Sequence, residues 1–352
     1  MRAARFHPPQ TIRIEEMPRP RPDGGGVQIR VEACGLCGSD LAKFVHRTAT
    51  PGEVLGHEVA GVIEEIGEAA RSALAERGAR LSPGDRVVVA HHVPCFACHF
   101  CAHGNYSMCR AFKSSRLTPG GFSEYLVASA DHAAHSMHAI PPGLGLDEAT
   151  FMEPLACALK ALPRLELKSG DLVLLFGLGP MGLLFARLLA RRPGARLVGI
   201  EPNPDRRARA APELLATFAP GDPALGDRVR AETEGRGADA VILLAGRGAL
   251  VADALSLVRD AGRVCVFAAS PGESAVPLPI DMLYYREIAL FGSYSPNPAG
   301  FAEALALLSE GTVRVDDLIT HRLPLDATPE AFVRAVRGEG LKFMIHPRGE
   351  ST

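Results

Sequence analysis

The 352-residue sequence predicts an α/β protein in which a doubly wound parallel sheet is joined to a second, β-rich domain, and three observations predict it. Leu172 to Phe176 is a continuously apolar run, suited to a parallel strand buried on both faces, and a glycine turn, Gly177-Leu178-Gly179-Pro180-Met181-Gly182, follows at once. Beyond that turn, apolar strand-like runs alternate with helical segments, as in a right-handed doubly wound sheet. Before it, short β-like runs are punctuated by Pro and Gly and by a lobe of four closely spaced cysteines.

Composition narrows the function. A hydrophobic fraction of 47% is ample for two packed cores, and a formal net charge of -2 offers no basic field to hold nucleic acid. The opening MRAARFHPPQTIRIEE lacks an apolar secretory segment, and the longest uncharged apolar run, Leu172 to Ala186, is too short to span a bilayer. The expectation is a cytoplasmic protein with no membrane partner. In that setting eight cysteines read as thiols or metal ligands rather than a disulfide framework.

Taken in order, residues 1–33 predict an antiparallel β-rich start, with Pro18 to Gly26 as the turn before VQIRVEA. GLCGSD follows, with Cys37, Ser39 and Asp40, and His57-Glu58 stands twenty residues beyond Cys37. A thiol and an imidazole so spaced suit a buried core pair, or two ligands of a zinc that keeps an open position for chemistry. Pro83-Gly84-Asp85 turns the chain into the strand RVVVA and then into HHVPCFACHFCAHGNYSMC.

Cys95, Cys98, Cys101 and Cys109 follow C-x2-C-x2-C-x7-C, enough for a closed tetrahedral zinc site with four thiolates. Iron–sulfur ferredoxins place the last cysteine after three residues and follow it with proline, whereas here seven intervene and Arg110 follows. A closed site has no position for substrate, so this metal is structural. Gly120 to Val127 predicts a strand after a glycine turn, and LDEATFMEPLACALKAL a single helix over 146–162, with Glu153 ahead of Pro154.

In the glycine turn, Gly177 permits the tight bend, Gly179 lets backbone approach a pyrophosphate and Gly182 lets helix pack on strand. Pro180 suits a first helical turn, and the helix runs from Met181 to Arg191 with its N-terminal amides favouring an anion. The next strand, Arg196 to Ile200, ends on Glu201, nineteen positions past Gly182 and close to the separation of about 20 at which a carboxylate binds the adenosine ribose. Pro204 to Ala216 reads as a helix broken by Pro212, and Ala238 to Leu244, Arg263 to Ala268 and Ile288 to Gly292 as further buried strands. An amphipathic helix near Phe301 to Leu308 and the tail LKFMIHP complete the chain.

Cys37-Gly-Ser-Asp, Gly56-His57-Glu58 with Gly61 and Gly67 behind it, and the cysteine lobe together resemble the medium-chain zinc-dependent alcohol and polyol dehydrogenases, over nearly the whole chain. The resemblance implies a Rossmann dinucleotide-binding domain over 154–291, inserted in a GroES-like catalytic domain made of 1–153 and 292–352. It implies two zincs per chain: a catalytic one on Cys37 and His57, with Glu58 and Glu153 competing for the third position, and a structural one on the four cysteines. Ser39 is then the acceptor of the substrate hydroxyl proton, and Asp40 the group that orients His57. Lys342 falls where the family carries a basic residue near the pyrophosphate, and Arg206, just past Glu201, beside the ribose. Glu201 would repel a 2′-phosphate, which favours NAD over NADP. Family members assemble as homodimers or homotetramers.

One position departs from the pattern: where many members carry a proton-relaying histidine, this chain has Ala42, with His46 nearby. Another is informative, since the simple-alcohol enzymes carry cysteine where Glu153 stands, and the polyol and threonine enzymes carry glutamate. The resulting expectation is hydride transfer between a secondary alcohol of a polyol, cyclitol or aminocyclitol and NAD. EPNPDRRARA resembles the corresponding stretch of aminocyclitol-forming 2-deoxy-scyllo-inosamine dehydrogenases. The alternatives are a simple-alcohol or threonine-type dehydrogenase and, in another class, a non-enzymatic zinc-binding or redox-sensing protein.

Overall fold

The computed structural model describes the chain apart from residues 24, 270–274 and 350–352. Two compact units form, one from Met1–Ala156 with Pro296–Thr352 and the other from Cys157–Ser295. The breaks fall slightly later than the sequence suggests, at 156 against 153 and at 295 against 291. The first of them lies inside the helix Met152–Ala161.

In the first unit β1 (Arg2–His7) and β2 (Thr11–Glu16) pair antiparallel, from Arg2↔Glu16 to His7↔Thr11. A larger sheet begins with β3 (Val27–Gly35), β4 (Glu58–Ile66) and β5 (Arg86–Ala90), joined in turn as antiparallel neighbours, while β6 (Tyr125–Ala128) pairs β3 and β7 (Met137–Ala139) pairs β5. The β-branched and aromatic residues Val27, Ile29, Val31, Val59, Ile63, Val87, Val89 and Phe122 bury together as its core.

The single helix expected over 146–162 is two helices, Leu146–Ala149 and Met152–Ala161. Pro154 explains the break, because its ring has no N–H to donate and clashes with the carbonyl four residues back, at Thr150.

The second unit is a six-stranded sheet of β8 (Leu172–Phe176), β9 (Arg196–Ile200), β10 (Ala216–Phe218), β11 (Ala238–Leu243), β12 (Val258–Val266) and β13 (Ala289–Gly292). Every neighbouring pair is parallel, and the order is β10-β9-β8-β11-β12-β13. All five residues of β8 are buried, as its unbroken apolar run demands. The order reverses beside β8, so the turn that follows this strand opens at the point where such sheets bind nucleotides.

β10 begins at Ala216, the last residue of the helix that the sequence suggested. The helix covers only Pro204–Ala210, and a 3-10 turn over Ala211–Glu213, centred on Pro212, ends it. β12 begins at Val258 rather than Arg263.

The chain then returns to the first unit. β14 (Ile319–Pro324) pairs parallel with β15 (Lys342–His346), which pairs antiparallel with β3 through Met344↔Gly35 and Ile345↔Cys34. The sheet order is thus β14-β15-β3-β4-β5-β7. Among the described residues no helix is long and apolar enough to cross a membrane.

Candidate active site

The ends of the central strands of the larger sheet assemble the site. Glu58, the first residue of β4, pairs Gly35 at the end of β3 and Ala90 at the end of β5, and Gly35 also pairs Met344 of β15. His57 stands just ahead of β4, and Cys37 caps the helix Gly38–Val45 just beyond β3. Strand pairing therefore joins what the sequence separates. One ligand atom each from Cys37, His57 and Glu58 lies within 4.8 Å of the others. A thiolate, an imidazole and a carboxylate are donors that zinc accepts, and three of them leave a coordination position open.

His57 is held from both sides of its ring. Its Nδ1 lies 3.3 Å from Asp40 Oδ1, and its Nε2 3.3 Å from Ser39 Oγ. Asp40 is buried and also accepts from the backbone amides of Cys37 at 3.1 Å and Gly56 at 3.2 Å. Burial disfavours its charged form, but His57 and those two amides outweigh that and hold its carboxyl below the ordinary range. Burial likewise opposes protonation of His57, yet Asp40 and Cys37 lift this imidazole well above its usual value.

Glu153, half-buried in the first turn of Met152–Ala161, is not one of the three groups that converge. Ala42 occupies the middle of the helix Gly38–Val45, and His46 is its exposed C-cap.

Two residues that the sequence did not place here belong to this neighbourhood. His91 follows β5 directly, its ring centroid 5.8 Å from that of His57, and burial together with the neighbouring His92 and His57 pushes its pKa well down. Lys342, expected at the cofactor pyrophosphate, is buried in the first unit with Nζ paired to Glu58 Oε2. Burial opposes its charge, but Glu58 and Cys37 hold its pKa above the usual lysine value. Neither position carries a local sequence signal, because both depend on strand register.

The cysteine lobe gathers Cys95, Cys98, Cys101 and Cys109 with one sulfur each inside a 4.8 Å set. Sulfur separations are 3.6 Å for Cys98–Cys101 and 3.5 Å for Cys95–Cys109. Zinc–sulfur bonds of ~2.3 Å in a tetrahedron put sulfurs ~3.8 Å apart, so this set fits zinc closely. None of the eight cysteines forms a disulfide. Phe96 takes the left-handed conformation (φ 55) between Cys95 and Cys98, and its ring packs 4.2 Å from that of His135.

In the second unit, Gly177 has φ 110, and a Cβ on Gly182 would lie 2.1 Å from the Gly177 carbonyl oxygen, so both positions demand glycine. A Cβ on Gly179 would meet only the Arg206 guanidinium, 3.8 Å away, which leaves room above the turn for a phosphate group. Pro180 opens the helix Pro180–Ala190, with Met181 next in its first turn. Glu201 is buried at the end of β9, and its carboxylate accepts from Leu178 N at 2.9 Å and Asn203 N at 3.0 Å. Arg207 Nη1 donates to the carbonyls of Glu201 at 2.6 Å and Pro202 at 2.9 Å.

Comparison with known proteins gives two family matches, the alcohol dehydrogenase GroES-like domain over residues 23–141 and the zinc-binding dehydrogenase domain over 180–310. The chain is 30% identical over 359 residues to a sorbitol dehydrogenase of Bombyx mori, covering 98% of each protein. It is 31% identical over 343 residues to an erythritol/L-threitol dehydrogenase of Mycolicibacterium smegmatis, covering 92% of this chain and 91% of that one. Among solved structures, the alcohol dehydrogenase TADH from Thermus sp. ATN1 superposes with a TM-score of 0.85 at 27% identity, over 98% of this chain and 99% of that one.

Proposed function

The chain belongs to the medium-chain zinc-dependent alcohol and polyol dehydrogenases, and from that membership we propose that it transfers hydride between a secondary alcohol of a polyol, cyclitol or aminocyclitol and NAD. The observation that carries the reading is the convergence of Cys37, His57 and Glu58, with Ser39 against the histidine.

Cys37, His57 and Glu58 would hold the catalytic zinc, and the four lobe cysteines the structural one. When bound, zinc supplies Lewis acidity toward the substrate hydroxyl, and NAD supplies the hydride acceptor. The rest falls to the protein. Asp40 accepts a hydrogen bond from Nδ1–H of His57, which would leave Nε2 as the ligand atom. Ser39 Oγ, beside that nitrogen and exposed to solvent, would take the substrate hydroxyl proton while releasing its own to water, leaving the alkoxide from which hydride passes to NAD. Glu153 accepts hydrogen bonds from neighbouring hydroxyls, which a thiolate in its place would do poorly.

For the cofactor, the amides of the Pro180–Ala190 helix face the pyrophosphate, and Glu201 takes the ribose diol beside Arg206. Glutamate at 153 supports polyols over simple alcohols, and the stretch 201–210 supports the aminocyclitol end of that range. A cytoplasmic homodimer or homotetramer completes the proposal.

The test is a screen of sugar alcohols, cyclitols, aminocyclitols and simple alcohols with NAD and with NADP, read as absorbance of the reduced nicotinamide. A polyol or cyclitol with NAD should give the highest kcat/KM. Ethanol or butanol in first place would refute the substrate class.

A further inference from the structure

We propose that Lys342 is a positioning residue for Glu58: a buried cation that competes with the catalytic metal for this carboxylate, and so sets how tightly the metal is held. The proposal rests on the reading of Glu58 as a metal ligand.

Four observations carry it. Lys342 and Glu58 are 3% and 1% exposed, and Nζ pairs Oε2 directly, so neither charge has water to fall back on. The pair has a space made for it. A Cβ on Gly35 would lie 2.2 Å from Glu58 Oε2 and 2.7 Å from Lys342 Cε, so the absence of a side chain there lets the ammonium reach the carboxylate. The ring of Phe151 lies 5.5 Å from Nζ and gives the cation a further favourable face. Finally, Cys37 and His57 share the same 4.8 Å set with Glu58, so one carboxylate faces both an ammonium and the place of a metal.

Charge then gives the direction. A thiolate at Cys37 and carboxylates at Glu58 and Asp40 outnumber the two positive charges of zinc by one, and Lys342 supplies the balance. In the metal-free protein the ammonium stabilises Glu58 without a metal. In the loaded protein it repels the metal and draws electron density from the carboxylate, making Glu58 a weaker donor that is easily released. Both effects have one sign: Lys342 weakens metal binding and keeps the bound metal a stronger Lewis acid.

The experiment uses full-length protein that retains zinc in the cysteine lobe and carries cobalt(II) in the catalytic set, with cobalt affinity measured by chelator competition and the ligand field read from visible bands. Lys342→Met should bind cobalt about tenfold more tightly or better and shift those bands. Its metal-free Tm should drop more than its metal-loaded Tm. Lys342→Gln, which retains a donor, should move affinity the same way and serves if the methionine variant does not fold. Lys342→Arg should stay within about threefold of wild type. In a Glu58→Gln background, Lys342→Met should change nothing. An affinity unmoved by both neutral substitutions, or moved equally with and without Glu58, overturns the proposal. If Glu58→Gln alone leaves affinity and bands intact, the ligand role of Glu58 falls first, and this proposal with it.

Discussion

The carboxylate of Glu201 accepts a hydrogen bond from the backbone amide of Leu178 at 2.9 Å, so the acidic residue that ends β9 is tied into the glycine turn that follows β8. Glu201→Ala should therefore act twice, loosening the turn and removing the charge that repels a 2′-phosphate. For wild type, kcat/KM should favour NAD. In the variant the NAD value should fall about tenfold or more while the NADP value falls less, moving the ratio toward NADP. An unchanged ratio in steady-state assays with both cofactors would rule this out.

The two cysteine-containing sets should fail differently. Cys37→Ala removes one of three ligands from an open set, so turnover should vanish while the protein stays folded with close to one zinc per chain. Cys109→Ala opens a closed set whose ligand also packs against Phe112, and should chiefly lower Tm. Metal analysis and thermal unfolding of both variants check this. Iron in place of zinc, or full activity in Cys37→Ala, contradicts it.

Glu153 stands outside the three groups that converge, Cys37, His57 and Glu58, so on the proposed assignment its removal should spare the metal. Glu153→Ala should keep its zinc content yet lower kcat/KM for the best polyol by roughly 100-fold, with a much smaller effect on butanol. Loss of one zinc, or equal losses for polyol and butanol, would show that the residue acts through the metal rather than through the substrate's additional hydroxyls.

Acid sensitivity should trace in part to His138. Its Nε2 is buried without a hydrogen-bond partner, and burial, aided by the charge of Arg77, pulls its pKa down to about 4. The folded protein thus keeps this ring neutral while the unfolded chain protonates it near 6.5. Its share of stability is intact above pH ~6.5, declines as pH falls toward ~4 and levels off below. His138→Leu should remove that share, so its Tm should fall less steeply than that of wild type across this window. Parallel Tm curves would exclude the assignment.

What the sequence makes legible here follows physical redundancy. Leu172–Phe176 and Arg196–Ile200 are recognisable because a strand buried on both faces must be apolar throughout. The four lobe cysteines are recognisable because one short loop supplies every ligand. β10 is hidden: its three residues are all half-buried, and a proline-broken helix precedes it. The relation between Glu58 and Glu153 is hidden for another reason. Both are glutamates close to the resembled motifs, and only the pairing of Gly35, Glu58 and Ala90 across three strands brings Glu58 and its neighbour His57 to Cys37. The pairing of Lys342 with Glu58 is hidden on the same ground, since the register of β15 against β3 brings the two together.

The position of β15 bears on the order in which the polypeptide matures. Glu58 is synthesised early and its counter-ion 284 residues later, after the whole of the contiguous unit Cys157–Ser295 has been made. On the ribosome that contiguous unit has all its strands before the first unit does, because β14 and β15 of the first unit's sheet are made after it. During that interval Glu58 has no ammonium opposite it, so on the proposal above a nascent chain should hold a divalent ion at Glu58 more tightly than the folded protein does. Metal loaded on a nascent chain would therefore be partly loosened by the last strand to arrive.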